Sequence, residues 1–168
     1  MSHGFRTGFE QLIVALAGQV RACYGPSLWA FVVFGSVARG VPRPDSDLDC
    51  LIVADPLPAG RVSRVVAFEA GVEDPLAPAL VSLRSRFGIS PALSPIIKTP
   101  AEVAAGSPLF LDMVEASDIR YDREGFFAGY LASLGQRLLA LGARKVALGS
   151  AWYWLLTPSL VPGEVIEL

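Results

Sequence analysis

A chain of 168 residues, 52% apolar and 18% charged, is long enough to bury a core and too apolar to stay disordered. Its formal net charge of -2 argues against a nucleic-acid partner, because general nucleic-acid binders carry a basic excess. No apolar run reaches the ~20 residues that a membrane helix needs, and residues 1–6 open no signal peptide, so no membrane contact and a cytoplasmic setting are expected.

In chain order, Phe9, Leu12, Ile13, Leu16, Val20 and Cys23 recur at helical spacing and define one face of a first helix. Gly25 and Pro26 end it. Residues 28–34 are apolar throughout and rich in β-formers, which predicts a buried strand. Residues 35–46 connect it, through Pro42 and Pro44, to a second strand over residues 48–54. After the breaks at Pro56, Pro58 and Gly60, residues 61–87 read as helical. Pro75 and Pro78 predict two helices meeting at a kink or loop near residues 73–75. Residues 89–99 form a third strand, and Pro91 and Pro95 point to an edge or irregular pairing.

Thr99-Pro100-Ala101-Glu102 is a helix start: a Thr cap, proline in the first turn, glutamate three residues on. A further helix covers about residues 108–116, and residues 118–122 alternate as a short strand. Residues 124–141 form an amphipathic helix through Phe127, Tyr130, Leu131, Leu134 and Leu138, with Gly142 at its end. The remainder, from Trp152-Tyr153-Trp154 onward with Pro158 and Pro162, reads as an extended tail packed by its aromatics. No repeat or linker divides the chain, so residues 1–168 are expected to form one domain, with 151–168 as a packed C-terminal tail.

Cys23 and Cys50 lie in apolar segments with no metal or disulfide spacing, and both are expected as buried thiols. His3 is the one histidine, near the terminus, so a Ser-His-Asp or Cys-His mechanism lacks its base.

The chemistry concentrates in Phe34-Gly35-Ser36-Val37-Ala38-Arg39-Gly40 and Asp45-Ser46-Asp47-Leu48-Asp49. A glycine after a buried strand lets the backbone turn sharply and lets a ligand approach. If Ser36 begins a short helical turn, its amide, its hydroxyl and the neighbouring amides point at one spot, an arrangement that holds anions. Asp47 and Asp49, two apart at the head of a strand, project from one face. Two adjacent carboxylates repel unless a cation neutralises them, and Mg2+ does so where phosphates share the site. Asp45 reads as a solvated loop residue or a partner behind that pair.

This pattern, Gly35-Ser36-Val-Ala-Arg39-Gly40 followed by Ser46-Asp47-Leu48-Asp49, closely resembles the signature of the polymerase β-type nucleotidyltransferases, in particular the small minimal branch of prokaryotes. The resemblance covers about residues 28–54, and more loosely the third strand and residues 119–122. It implies the nucleotidyltransferase fold: an α/β (α+β) domain whose small mixed sheet of three to four strands is flanked by helices. It implies that Gly35 and Ser36 hold a triphosphate, that Asp47 and Asp49 are the catalytic metal ligands for Mg2+ or Mn2+, and that Arg39 supports phosphate or braces the turn. The implied reaction is transfer of a nucleoside monophosphate from ATP or another nucleoside triphosphate, AMP foremost, to a hydroxyl on a protein, a small molecule or an RNA end. Relatives of this type often pair with a small helical protein in toxin–antitoxin systems, so such a partner is implied too.

One expected part is missing. Full-strength members carry a third carboxylate on a following strand, whereas residues 89–99 hold no acid, only Ser90 and Ser94 before Lys98. Serine is a poor base and a weak Mg2+ ligand. The alternative reading is therefore a catalytically weak module that binds nucleotide or a partner, such as an antitoxin. Asp112 and Glu115 are the next acids along the chain and read chiefly as solvated helix residues. Arg61, Arg64, Arg84 and Arg86 read as a solvated face, Lys145 as helix-end solvation, and Trp152, Tyr153 and Trp154 as anchors of the tail.

Overall fold

The computed structural model describes residues 2–149 and 151–157; the side chain of His3 and residues 158–168 lie outside the described residues. Four strands, β1 (Leu28–Val33), β2 (Leu48–Ala54), β3 (Leu93–Lys98) and β4 (Asp118–Asp122), form a mixed sheet in the order β3-β2-β1-β4. β1 runs antiparallel to β2 and β4, and β2 runs parallel to β3. The expected mixed sheet flanked by helices is thus present.

Alternation on the strands divides the core into two layers. Phe31, Val33, Leu48, Cys50 and Ile52 face α1 (Ser2–Tyr24) and α4 (Asp74–Phe87), where Phe9, Leu12, Leu16, Val20 and Leu83 are buried. Ala30, Val32, Leu51 and Val53 face α5 (Pro100–Ala104), α6 (Leu109–Glu115) and α7 (Phe126–Ala140), through Val103, Phe110, Met113, Phe127 and Leu134. A fully buried side chain of this size is worth roughly 1.5–3 kcal/mol relative to exposure. The central strands, covered on both sides, therefore read as continuous apolar runs.

Five expectations need correction. The two helices expected over residues 61–87 are present, but no loop parts them. α3 (Arg61–Phe68) passes through a five-residue π-helical segment, Glu69–Glu73, directly into α4. Pro75 cannot bond the carbonyl four residues back, at Gly71. Gln19 Nε2 donates to that carbonyl at 2.8 Å instead, and the wider segment absorbs the proline. α7 begins later than expected, because Glu124 and Gly125 both take positive φ, 55° and 71°; Asp122 caps it, accepting from the amides of Phe127 and Ala128. Cys23 is exposed while Cys50 is buried: Cys23 ends the α1 stripe beside Gly71, and Tyr24 packs on the core in its place.

Arg64 is not solvated. Its side chain is 13% exposed and donates to the carbonyls of Pro58 and Ile97 and to Glu102. It covers part of the open edge of β3. Glu102 also completes the capping box with Thr99. Finally, Lys145 and the three aromatics belong to a hairpin, β5 (Arg144–Leu148) paired antiparallel with β6 (Ala151–Leu155).

Candidate active site

The site grows out of the junction between β1 and β2. The amide of Phe34, just past β1, donates to the carbonyl of Asp49 at 3.1 Å, which ties the following turn to the strand carrying the carboxylates. Gly35 then takes φ 73°, and a β-carbon there would collide with Asp49 Oδ2. Glycine is thus required twice over, by backbone conformation and by space. The one-turn helix α2 (Gly35–Ala38) follows, and its N-cap, Phe34, offers no side-chain acceptor to the first amides. The turn is closed by Arg39 N to Gly35 O and Val41 N to Ser36 O, both 3.1 Å.

The connector returns through a second turn. Ser46 Oγ accepts from the amide of Arg43 at 2.9 Å, and its own amide donates to the carbonyl of Arg43 at 3.0 Å. Ser46 is the buried polar residue of this loop. Its fixed turn delivers Asp47 and Asp49 to the head of β2. Gly35, Ser36, Arg39, Arg43, Asp45, Asp47 and Asp49 line one open pocket of about 390 Å3. Arg43 was not anticipated as a lining residue. It pairs with Asp45 at 3.4 Å, with both side chains 79% exposed, so the pair contributes little to stability.

Asp49 lies on the face of β2 that carries Leu51 and Val53, toward α6 and the hairpin. Burial pushes its carboxyl above the usual value; the Ser94 hydrogen bond pulls the other way, the charge of Asp47 adds to the rise, and Arg39 opposes it. Neither carboxylate forms an ion pair among the described residues. Nor is there among them a cluster of three His, Cys, Asp or Glu side chains that could hold a metal. Two carboxylates with no ion pair among the described residues, beside an open pocket, suit Mg2+, which takes one or two protein carboxylates and completes its shell with phosphate oxygens and water.

The third strand is now resolved. Asp49 is in register with Ser94 on β3, and the Ser94 hydroxyl favours the charged form of the Asp49 carboxyl. Ile96, two residues on, packs in the same layer as Leu51 and Val53, so Ser94 stands on the site face. Ser90 precedes the strand, and its amide bonds the carbonyl of Pro44. Asp112 and Glu115 do not reach the carboxylates. Lys145 pairs with them at 2.8 and 2.7 Å, and Asp112 also accepts from the indoles of Trp152 and Trp154. Burial pulls the Asp112 carboxyl up, but the bonds from Lys145, Trp154 and Trp152 outweigh it and hold the carboxyl below its usual range. Both acids therefore pin the hairpin to α6.

A family model described as a nucleotidyltransferase domain matches residues 26–102. The chain is 32% identical over 110 residues to the Methanocaldococcus jannaschii protein named "Putative protein adenylyltransferase MJ1305", a match spanning 64% of this chain and 68% of that one. A solved structure described as "a putative nucleotidyltransferase from Sulfolobus solfataricus" overlaps at a TM-score of 0.41 with 22% identity, over 70% of this chain and 86% of that chain. Another, described as a toxin–antitoxin with AMP-PNP, overlaps at 0.41 with 17% identity, over 74% and 90%. Overlap at these scores adds no detail to the sheet already described.

Proposed function

We infer, since this chain belongs to the nucleotidyltransferase family and is a nucleotidyltransferase enzyme, that it moves AMP from ATP onto a hydroxyl group of a protein. The observation that carries this reading is the shared pocket. Asp47, just before β2, and Asp49, on it, line the pocket beside the Gly35-Ser36 turn, and among the described residues neither forms an ion pair. A protein acceptor is favoured over a small molecule or an RNA end, because the 32%-identical relative is named for protein adenylylation.

In this reading the Ser36 hydroxyl and the first amides of α2 donate to the β- and γ-phosphates, and Arg39 adds positive charge at the pocket wall. Asp47 and Asp49 would hold Mg2+ or Mn2+, which when bound supplies neutralising charge at the α-phosphate. The acceptor oxygen attacks the α-phosphorus. A new P–O bond forms as the bridging bond to the β-phosphate breaks, and pyrophosphate leaves with the electron pair. The place beside Asp49 on β3 is held by Ser94, so the hydroxyl proton leaves to water or to a base that the acceptor brings. Among the described residues no helix is long and apolar enough to cross a membrane, and we assign the reaction to the cytoplasm, where ATP is supplied.

Ser94 also favours a second reading: a module that binds nucleotide and a small helical partner, as an antitoxin does, and turns over slowly. One assay tests both. The protein, alone and co-expressed with its neighbouring reading frames, is given Mg–ATP labelled at the α- or the γ-phosphate. The first reading expects protein-bound label from α-labelled ATP only, with one pyrophosphate released per AMP. The second expects nucleotide binding without label. Label arriving from the γ-phosphate removes both.

A further inference from the structure

Among the described residues, the β5–β6 hairpin meets the pocket wall where Trp152 contacts Arg39. Trp152, 43% exposed, lies with its ring 5.3 Å from the guanidinium carbon of Arg39, and Arg39 lines the pocket with Ser36 and Asp49. The ring is itself held. Its indole N–H points at Asp112, with both carboxylate oxygens at 3.3 Å, and Lys145 Nζ lies 4.8 Å from the ring centroid. Lys145 is anchored in turn by Asp112 and Glu115, and its cross-strand neighbour Trp154 donates to Asp112 at 2.9 Å. Trp154 also packs into the layer beneath α6 and α7. A continuous set of contacts thus runs from α6 through the hairpin to a cation on the pocket wall.

Arg39 needs such support. It is exposed, just past a one-turn helix, and forms no salt bridge among the described residues. An unsupported arginine must lose much of its rotamer freedom when it closes on a phosphate, which weakens the contact it makes. A guanidinium already resting on an indole face has lost part of that freedom beforehand, and the ring quadrupole attracts the cation without neutralising it as a carboxylate would.

We propose that Trp152 is a positioning residue for the triphosphate: its ring presets the Arg39 guanidinium at the pocket wall, and Asp112 with Lys145 presets the ring. This makes the β5–β6 hairpin part of the nucleotide site, although none of its described side chains lines the pocket. The proposal rests on the reading of Arg39 as a phosphate-binding residue.

The test is a double-mutant cycle read by calorimetry with Mg2+ and an ATP analogue whose α,β-bridge is methylene, with AMP as the control ligand. Trp152→Leu is expected to weaken the analogue about two- to five-fold. At 1.4 kcal/mol per tenfold this is ~0.5–1 kcal/mol, the range of an exposed cation–π contact. AMP affinity should not move. Trp152→Phe, which keeps a ring and loses the indole N–H, should retain most of the affinity, and it guards against a hairpin that fails to dock in the leucine variant. In the Arg39→Ala background Trp152→Leu should cost nothing further. An equal loss in both backgrounds would mean that the ring touches the nucleotide itself, and would overturn the proposal. So would a Trp152→Leu variant with unchanged affinity while Arg39→Ala is impaired. If Arg39→Ala alone leaves the analogue unaffected, the phosphate reading of Arg39 fails, and the proposal with it.

Discussion

β2 and β3 lie side by side in register, yet they are built to different standards. On β2 every residue but Asp49 is buried, whereas on β3 every residue is only partly buried. β2 is paired on both sides; β3 is the edge, with Pro95 in its middle and Arg64 covering the carbonyl of Ile97. The candidate metal ligands, Asp49 on β2 and Asp47 just before it, thus belong to a strand whose geometry is overdetermined, and the amide of Phe34 ties the Gly35 turn to the carbonyl of Asp49. The half from which a third carboxylate would come stands on a loosely enclosed edge and presents Ser94. In the proposed reading, holding a nucleotide and activating an acceptor are therefore separable, because the residues assigned to them lie on different strands.

The strongest way to break that separation is to supply the missing acid. Ser94→Asp places a carboxylate in register with Asp49. It is expected to raise AMP transfer to a supplied acceptor by about 10²–10⁴-fold, the usual worth of general-base assistance, with little change in ATP affinity. Equal initial rates of pyrophosphate release for the two proteins would show that Ser94 is not the vacant base position.

Next in size is the β2 side. Asp49→Asn should abolish the Mg2+ dependence of ATP binding, at a cost of roughly 2–5 kcal/mol if a desolvated charge contact is lost. The circular dichroism spectrum should stay unchanged, because Asp49 is only half-buried. ATP titrations with and without Mg2+ read this directly. If the variant keeps the metal response of the parent, the carboxylate pair is not the metal site.

Smaller again is Ser36→Ala, expected to weaken ATP by about 0.5–3 kcal/mol, the span for one hydrogen bond lost to a neutral or charged partner. AMP, which lacks the β- and γ-phosphates, should be nearly indifferent. Parallel losses for ATP and AMP would move the triphosphate away from this turn.

The least effect concerns the hairpin and acid. The Asp112 carboxyl titrates below its ordinary value of 3.8 in the folded protein, because the bonds from Lys145, Trp154 and Trp152 outweigh the opposing effect of burial. A lowered folded value means that its contribution to hairpin docking is complete above about pH 3.8. That contribution is lost as pH falls further, through the folded value. Tryptophan emission should shift to the red over that window in the parent, and Asp112→Asn should remove the pH dependence while leaving a weaker clamp. A parent spectrum that stays constant down to global unfolding would contradict the clamp.

Much of this was legible in the residues. The Gly-Ser turn, the Asp-x-Asp pair and the flanking apolar runs determined the strands of the site, since local backbone needs and two-residue alternation are read directly from sequence. The capping box at Thr99 was legible for the same reason: its partners are three residues apart. What crosses the fold was not. Nothing local says that Gln19 bonds the carbonyl Pro75 leaves free, and so the π-helical join between the two expected helices was not foreseen. Nor does anything local say that Ser94 rather than Ser90 faces Asp49, which depends on β2–β3 register. The engagement of Asp112 and Glu115 with Lys145, and the contact of Trp152 with Arg39, join residues 30 to 113 positions apart. Sequence by itself determined which chemistry the chain carries, because that chemistry lies within one strand–turn–strand unit. Only the tertiary structure decided which side chains complete the unit, because those are set by strand register and by packing between distant segments.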